Sequence, residues 1–171
     1  MIELVKNILN VSRKIQTEIN SSLKPPDEGQ ESEFDLVISR TLLLNTRGYL
    51  ERVLTQINGC YEKGWYDACA VMIRRLIETL IIECFESFII SDKIKNNNGD
   101  FYYLNDLISA MLNESSWNLG RNARNALPRL KNIGDKSAHS RRYTAHRNDI
   151  DKLSDDLRDV VQELLYSAKL K

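Results

Sequence analysis

Apolar residues recur at helical spacing along most of the chain. Ile2, Val5, Ile8, Leu9, Ile15 and Ile19 alternate with polar residues, which predicts one amphipathic helix over about residues 2–21. The next stretch, SSLKPPDEGQES, carries two prolines and a glycine and predicts a solvated loop. FDLVIS follows with no decisive period and no second strand to pair with, so helix or irregular structure is expected there. Leu43, Leu50, Val53, Leu54 and Ile57 restore the helical period from about Thr41 to Lys63. Gly64 stands where a helix C-terminus expects glycine. Trp65 then leads straight into the next apolar run, so the two helices should fold back as an antiparallel hairpin.

That run, Tyr66–Ile90, is the stretch around which the chain is organised. Leu76, Ile77, Leu80, Ile81, Cys84 and Phe88 form a broad apolar face, and Val71, Ile82 and Ile89 lie on the other side. A helix that is apolar nearly all round needs neighbours on most sides, from its own chain or from a second copy. Arg74, Arg75 and Glu78 sit in its middle and need partners. SDKIKNNNGD predicts a loop, FYYLNDLISAMLNES a shorter helix, and SSWNLG a break. Leu119, Ala123, Ala126, Leu127, Leu130, Ile133 and Ser137 predict a helix up to His139, kinked or restarted at Pro128. SRRYT is a basic turn. Ile150 to Ala168 predicts a long C-terminal helix capped by Thr144 or Asn148. The class is therefore all-α.

Composition narrows the functions on offer. The 171 residues include 24 Lys+Arg and 24 Asp+Glu, so no excess field drives bulk binding to DNA or to an anionic membrane. The apolar run is interrupted by Arg, Glu and Thr and is no membrane span, and the start lacks the order of a signal peptide. A cytoplasmic protein is expected. Cys60, Cys69 and Cys84 form no CxxC pair, which predicts free thiols. Without CxxC, HExxH, a P-loop or GxGxxG, neither a metal nor a nucleotide cofactor is expected.

One constellation could carry chemistry. Asn132, Asp135 and Lys136 precede His139 by seven, four and three residues, so one helix face presents all four. Asp135 can hold one imidazole nitrogen and leave the other free for acid–base work. Arg141 and Arg142 follow, and their planar donors suit a phosphate. The plainer reading is a histidine at a helix C-terminus and a solvated Arg-Arg turn. Arg74 and Glu78, four apart, form an intrahelical pair that Asp135, His139 or another chain should complete.

YEKGWYDACAVMIRRLIETLI, followed by LKNIGDKSAH, resembles the HEPN superfamily, and within it a bacterial family of uncharacterised function with a Gly-Asn/Asp-x-x-Ala-His element. The likeness covers about residues 46–168. It implies a HEPN-like helical bundle over 46–171 with a buried central helix hairpin, and residues 1–45 as an added N-terminal helix and loop. It also implies a homodimer with its polar motif at the cleft. Many HEPN proteins are metal-independent endoribonucleases of toxin–antitoxin or phage-defence systems, so RNA or a nucleotide, and a protein of the same defence system, are the implied partners. Carried onto this chain, His139 and Asp135 take the catalytic histidine and polar positions, with Arg75 the candidate catalytic cation. Arg74, Glu78, Lys136, Arg141 and Arg142 are the candidate ligand-binding residues. Gly134 stands where the family signature has arginine. Lys136, Arg141 or Arg75 would have to replace that charge, and the glycine itself suits a close helix–helix approach. Two readings follow: an endoribonuclease, or a non-catalytic helical module for dimerisation and for nucleotide or protein binding.

Overall fold

A computed structural model describes Val11, Ser12, Lys14, Ile15 and residues 37–171. The chain divides into two units, residues 1–30 and 31–171. In the first, the four described residues are helical, as the periodicity predicts. The rest of the helix expected over about residues 2–21, the loop after it and FDLVIS up to Leu36 lie outside the described residues.

The second unit is an all-α bundle. Its helices are α1 (Gly48–Glu62), α2 (Tyr66–Ser87), α3 (Leu104–Asn113), α4 (Arg121–His139), α5 (Arg147–Asp151) and α6 (Ser154–Ser167). No helix among the described residues is long and apolar enough to cross a membrane.

The predicted hairpin is α1–α2. Gly64 makes its turn with φ +75°, the left-handed conformation that glycine adopts without steric cost. Trp65 N–H donates to the Cys60 carbonyl (2.8 Å) and Gly64 N–H to that of Tyr61 (3.0 Å), which satisfies two carbonyls at the helix end. α2 is the central element and packs against α1, α3, α4, α5 and α6. Ile73, Leu76, Ile77, Leu80, Ile81, Cys84 and Phe85 are buried on it, so the neighbours its composition demands come from its own chain. Trp117 closes one end of the core, edge-on to Phe85 (4.9 Å) and Phe88 (5.3 Å).

Several boundaries differ from the sequence expectation, each for a local reason. The helix expected from Thr41 begins at Gly48, because the chain first forms a 3-10 turn at Arg40–Leu42 and then a left-handed Asn45 (φ 62°). The central helix ends at Ser87 rather than Ile90. Ile89 takes φ 59° while its N–H and that of Ile90 reach back to the carbonyls of Glu86 and Phe85 (3.0 Å each). Such a conformation is rare for a β-branched residue. Pro128 does not break α4. Both Pro128 and Arg124, whose carbonyl loses its partner, are exposed, so the missing bond lies on the wet side of the helix. The C-terminal helix is divided at Lys152–Leu153. Its cap is neither Thr144 nor Asn148. His146 occupies that position, and its backbone N–H donates to the Asp149 carboxylate (2.9 Å).

Residues 37–45 contribute to this bundle. Val37, Ile38 and Leu43 are buried in its core. The segment is held by Asn58, itself fully buried, whose Oδ1 accepts from Val37 N–H (3.0 Å) and Ile38 N–H (3.3 Å) and whose Nδ2 donates to the Ile38 carbonyl (2.9 Å). An irregular segment can be buried only when its backbone groups are satisfied in this way. Asn58→Ala leaves three of them without a partner. It should cost about 2–3 kcal/mol in urea unfolding. A variant as stable as wild type would show that the side chain does not carry this segment.

Candidate functional site

The polar residues singled out in the sequence meet where α4 crosses α2. Gly134 is buried at the crossing. A Cβ placed there would lie 2.5 Å from the Arg74 Cβ and 3.0 Å from the Ala70 carbonyl oxygen, so only glycine lets the two backbones come this close. The expected close approach is therefore what the structure contains.

The next residue, Asp135, is delivered to Arg74. Arg74 Nε donates to Asp135 Oδ1 (2.8 Å) and Nη1 to Glu78 Oε2 (3.2 Å). Lys131, one turn back on α4, donates to Asp135 Oδ2 (2.5 Å). Two cations and two carboxylates thus form a neutral, half-buried cluster within one chain. Burial pushes the Asp135 carboxyl up, but the hydrogen bonds and charges of Lys131 and Arg74 outweigh it and hold the group below the ordinary carboxylate range.

His139 is not part of that cluster. It ends α4 as an exposed residue, and no hydrogen bond joins it to Asp135 among the described residues. Asn132, Lys136 and His139 share an outward stripe, while Asp135 turns inward to α2. Arg75 is exposed on α2 and makes no ion pair with Asp135 among the described residues. Arg141 and Arg142 are exposed in the loop after α4. The structure therefore joins Arg74, Glu78 and Asp135, and leaves Arg75, Lys136, His139, Arg141 and Arg142 on the surface.

The loop that carries the two arginines is anchored at both ends of its return to the hairpin. Asp67, in the first turn of α2, accepts the Ala145 N–H (2.9 Å). Tyr61 donates to Asp151 and accepts from Arg147 Nε (2.9 Å). Tyr143 donates to Asp149 (3.1 Å), and the Lys136 ammonium lies 5.9 Å from the centre of the Tyr143 ring. Lys131, Tyr143 and Lys152 were not among the residues expected at the site. The spacing of Lys131 to Asp135 is an i,i+4 signal that could have shown the first; the other two arrive only through tertiary packing.

Cys60, Cys69 and Cys84 are free, and burial pushes the Cys69 and Cys84 thiols up to about 12. No group of three His, Cys, Asp or Glu able to hold a metal occurs among the described residues. The fold and site define a helical-bundle protein with an internal charge cluster and a basic helix end. Comparison with known proteins returns no matching family model, curated protein or solved structure.

Asp135→Asn should lower stability by about 1–3 kcal/mol at neutral pH. A depressed carboxyl contributes stability above its unfolded pKa and loses it as pH falls through the lower folded value. The gap between wild type and variant should therefore narrow below about pH 4. Urea titrations at a series of pH values measure it, and a gap that stays constant down to acid pH would contradict the assignment.

Proposed function

We propose that the chain is a HEPN-like helical module of a bacterial defence or stress system that acts by binding and self-association rather than by cutting RNA. One observation carries this reading. Both carboxylate oxygens of Asp135 are engaged by cations of the same chain, so the residue that would orient His139 is committed elsewhere. Gly134 adds support, since the position given to arginine in the HEPN signature is filled here by a helix–helix contact. The exposed Lys136, Arg141 and Arg142 suit contacts with the phosphates of RNA or of a nucleotide. A homodimer and a protein of the same defence system belong to this proposal as partners.

A second reading, metal-independent endoribonuclease, is favoured by the exposure of His139 two residues before Arg141. In that reaction the imidazole takes the proton of a 2′-hydroxyl and its oxygen attacks the adjacent phosphorus. Arginine neutralises the phosphorane, and the 5′-oxygen leaves with a proton from an acid. A second copy bringing its own cation to the cleft would complete such a site.

Incubation of total RNA with wild type and His139→Ala separates the two. The binding reading predicts RNA retarded in a native gel and intact in a denaturing gel with either protein. RNA shortened by wild type and intact with His139→Ala, both proteins having the same oligomeric state, would overturn it in favour of catalysis.

A further inference from the structure

The net charge of zero hides an uneven distribution. Residues 121–152 hold nine Lys or Arg against three Asp, a local excess of six positive charges. All three aspartates are engaged by groups of the same chain. Asp135 meets Arg74 and Lys131, Asp149 takes the Tyr143 hydroxyl and the His146 N–H, and Asp151 takes the Tyr61 hydroxyl. Much of the positive charge that remains faces outward.

Part of it lines a concave site. A pocket of about 250 Å³ lies between the outer face of α4 and the turn that joins α5 to α6. Arg129 and Lys136, seven residues apart on one helix face, form one wall with Asn132 between them, and Lys152 stands on the α5–α6 turn. Arg129 is fixed by one bond from Nη2 to Asp156 (2.9 Å), which leaves it further N–H donors. Lys136 and Lys152 make no salt bridge among the described residues. Ile133 and Leu153 supply an apolar part of the lining. Asp149 is the one acid in the lining, and its Oδ2 already accepts two hydrogen bonds.

Asp156 offsets Arg129, and Asp149 lies in the lining beside Lys152, so three cations and two carboxylates leave an excess of one positive charge at the concavity. Two ammonium groups, a guanidinium and an amide are donors that match a phosphate with two charges, and the apolar patch suits the carbon skeleton it is attached to. We infer that this pocket binds a phosphomonoester, from a free nucleotide or from the 5′ end of an RNA. The inference rests on the binding reading for its setting and moves the ligand site away from the Arg74–Asp135 cluster, to Asn132 and Lys136 on the outer face of the HEPN-like stretch together with Arg129 and Lys152, which lie outside it.

Calorimetric titration of the full chain at low ionic strength tests it, with 5′-AMP as the probe and adenosine as the uncharged control. AMP should bind once per chain and adenosine should not. Lys136→Gln and Lys152→Gln should each weaken AMP binding about tenfold. Arg52→Gln, an exposed cation on α1 away from the pocket, should match wild type, and thermal unfolding should be alike in all four proteins. A short oligonucleotide that competes with AMP only when it is 5′-phosphorylated assigns the phosphate to an RNA end; failure of both forms to compete assigns it to a free nucleotide. Equal competition by the 5′-hydroxyl form overturns the monoester assignment. Absence of AMP binding to wild type, undiminished binding by both lysine variants, or an equal loss in Arg52→Gln overturns the pocket itself. AMP binding without RNA retention in the native gel would remove RNA from the proposed function and leave the pocket standing.

Discussion

The bundle depends on one close contact, the crossing of α4 over α2 at Gly134. With no side chain at that point, the Arg74 Cβ and the Ala70 carbonyl oxygen come within a distance that any Cβ would violate. The crossing sets the depth to which Leu130 and Ile133 of α4 and Ile73 and Ile77 of α2 are buried. It also decides the chemistry beside it. Asp135 follows Gly134 directly, so a helix held this near brings its carboxylate to the Arg74 guanidinium at 2.8 Å. The polar cluster is a consequence of the packing, and its charges are matched where they are half-buried, as partial desolvation requires.

Charge is accordingly sorted into two regions. Inside, Arg74, Lys131, Glu78 and Asp135 cancel one another and tie α4 to α2. Outside, Lys136, His139, Arg141 and Arg142 are exposed at the end of α4 and in the loop beyond it, and Lys152 faces them from the α5–α6 turn. The contacts of Tyr61, Asp67 and Tyr143 hold that loop against the rest of the bundle. A basic surface on rigid supports is better suited to an anion than the same residues on a free loop, because less order has to be imposed on binding.

Much of this architecture is legible in the chain. The helical period marks every major helix, and the Gly64 turn marks the α1–α2 hairpin, because burial on one face is what the period records. Helix ends are less legible. Asn45 and Ile89 adopt left-handed backbone that their residue types do not announce, and the Lys152–Leu153 break carries no glycine or proline. At the site, helical spacing put Asp135 and His139 on one face, yet four residues advance about 400°, some 40° beyond a full turn. Asp135 turns inward to Arg74, while His139, the last residue of α4, is left in solvent. Lys152 reaches the pocket only because the chain after α4 folds back onto the α1–α2 hairpin, information held in the tertiary contacts of Tyr61 and Asp67 rather than in any local motif.

Position 134 is glycine because two backbones touch there. Replacing glycine with alanine inside a helix ordinarily stabilises by roughly 0.5–1 kcal/mol. Here the added methyl meets a Cβ and a backbone oxygen, neither of which can swing aside, and the effect should reverse sign. Equilibrium urea unfolding of Gly134→Ala should show a loss of about 1–3 kcal/mol. A variant more stable than wild type would mean that the helices do not meet at this glycine, and the account of the cluster built on that contact would be wrong.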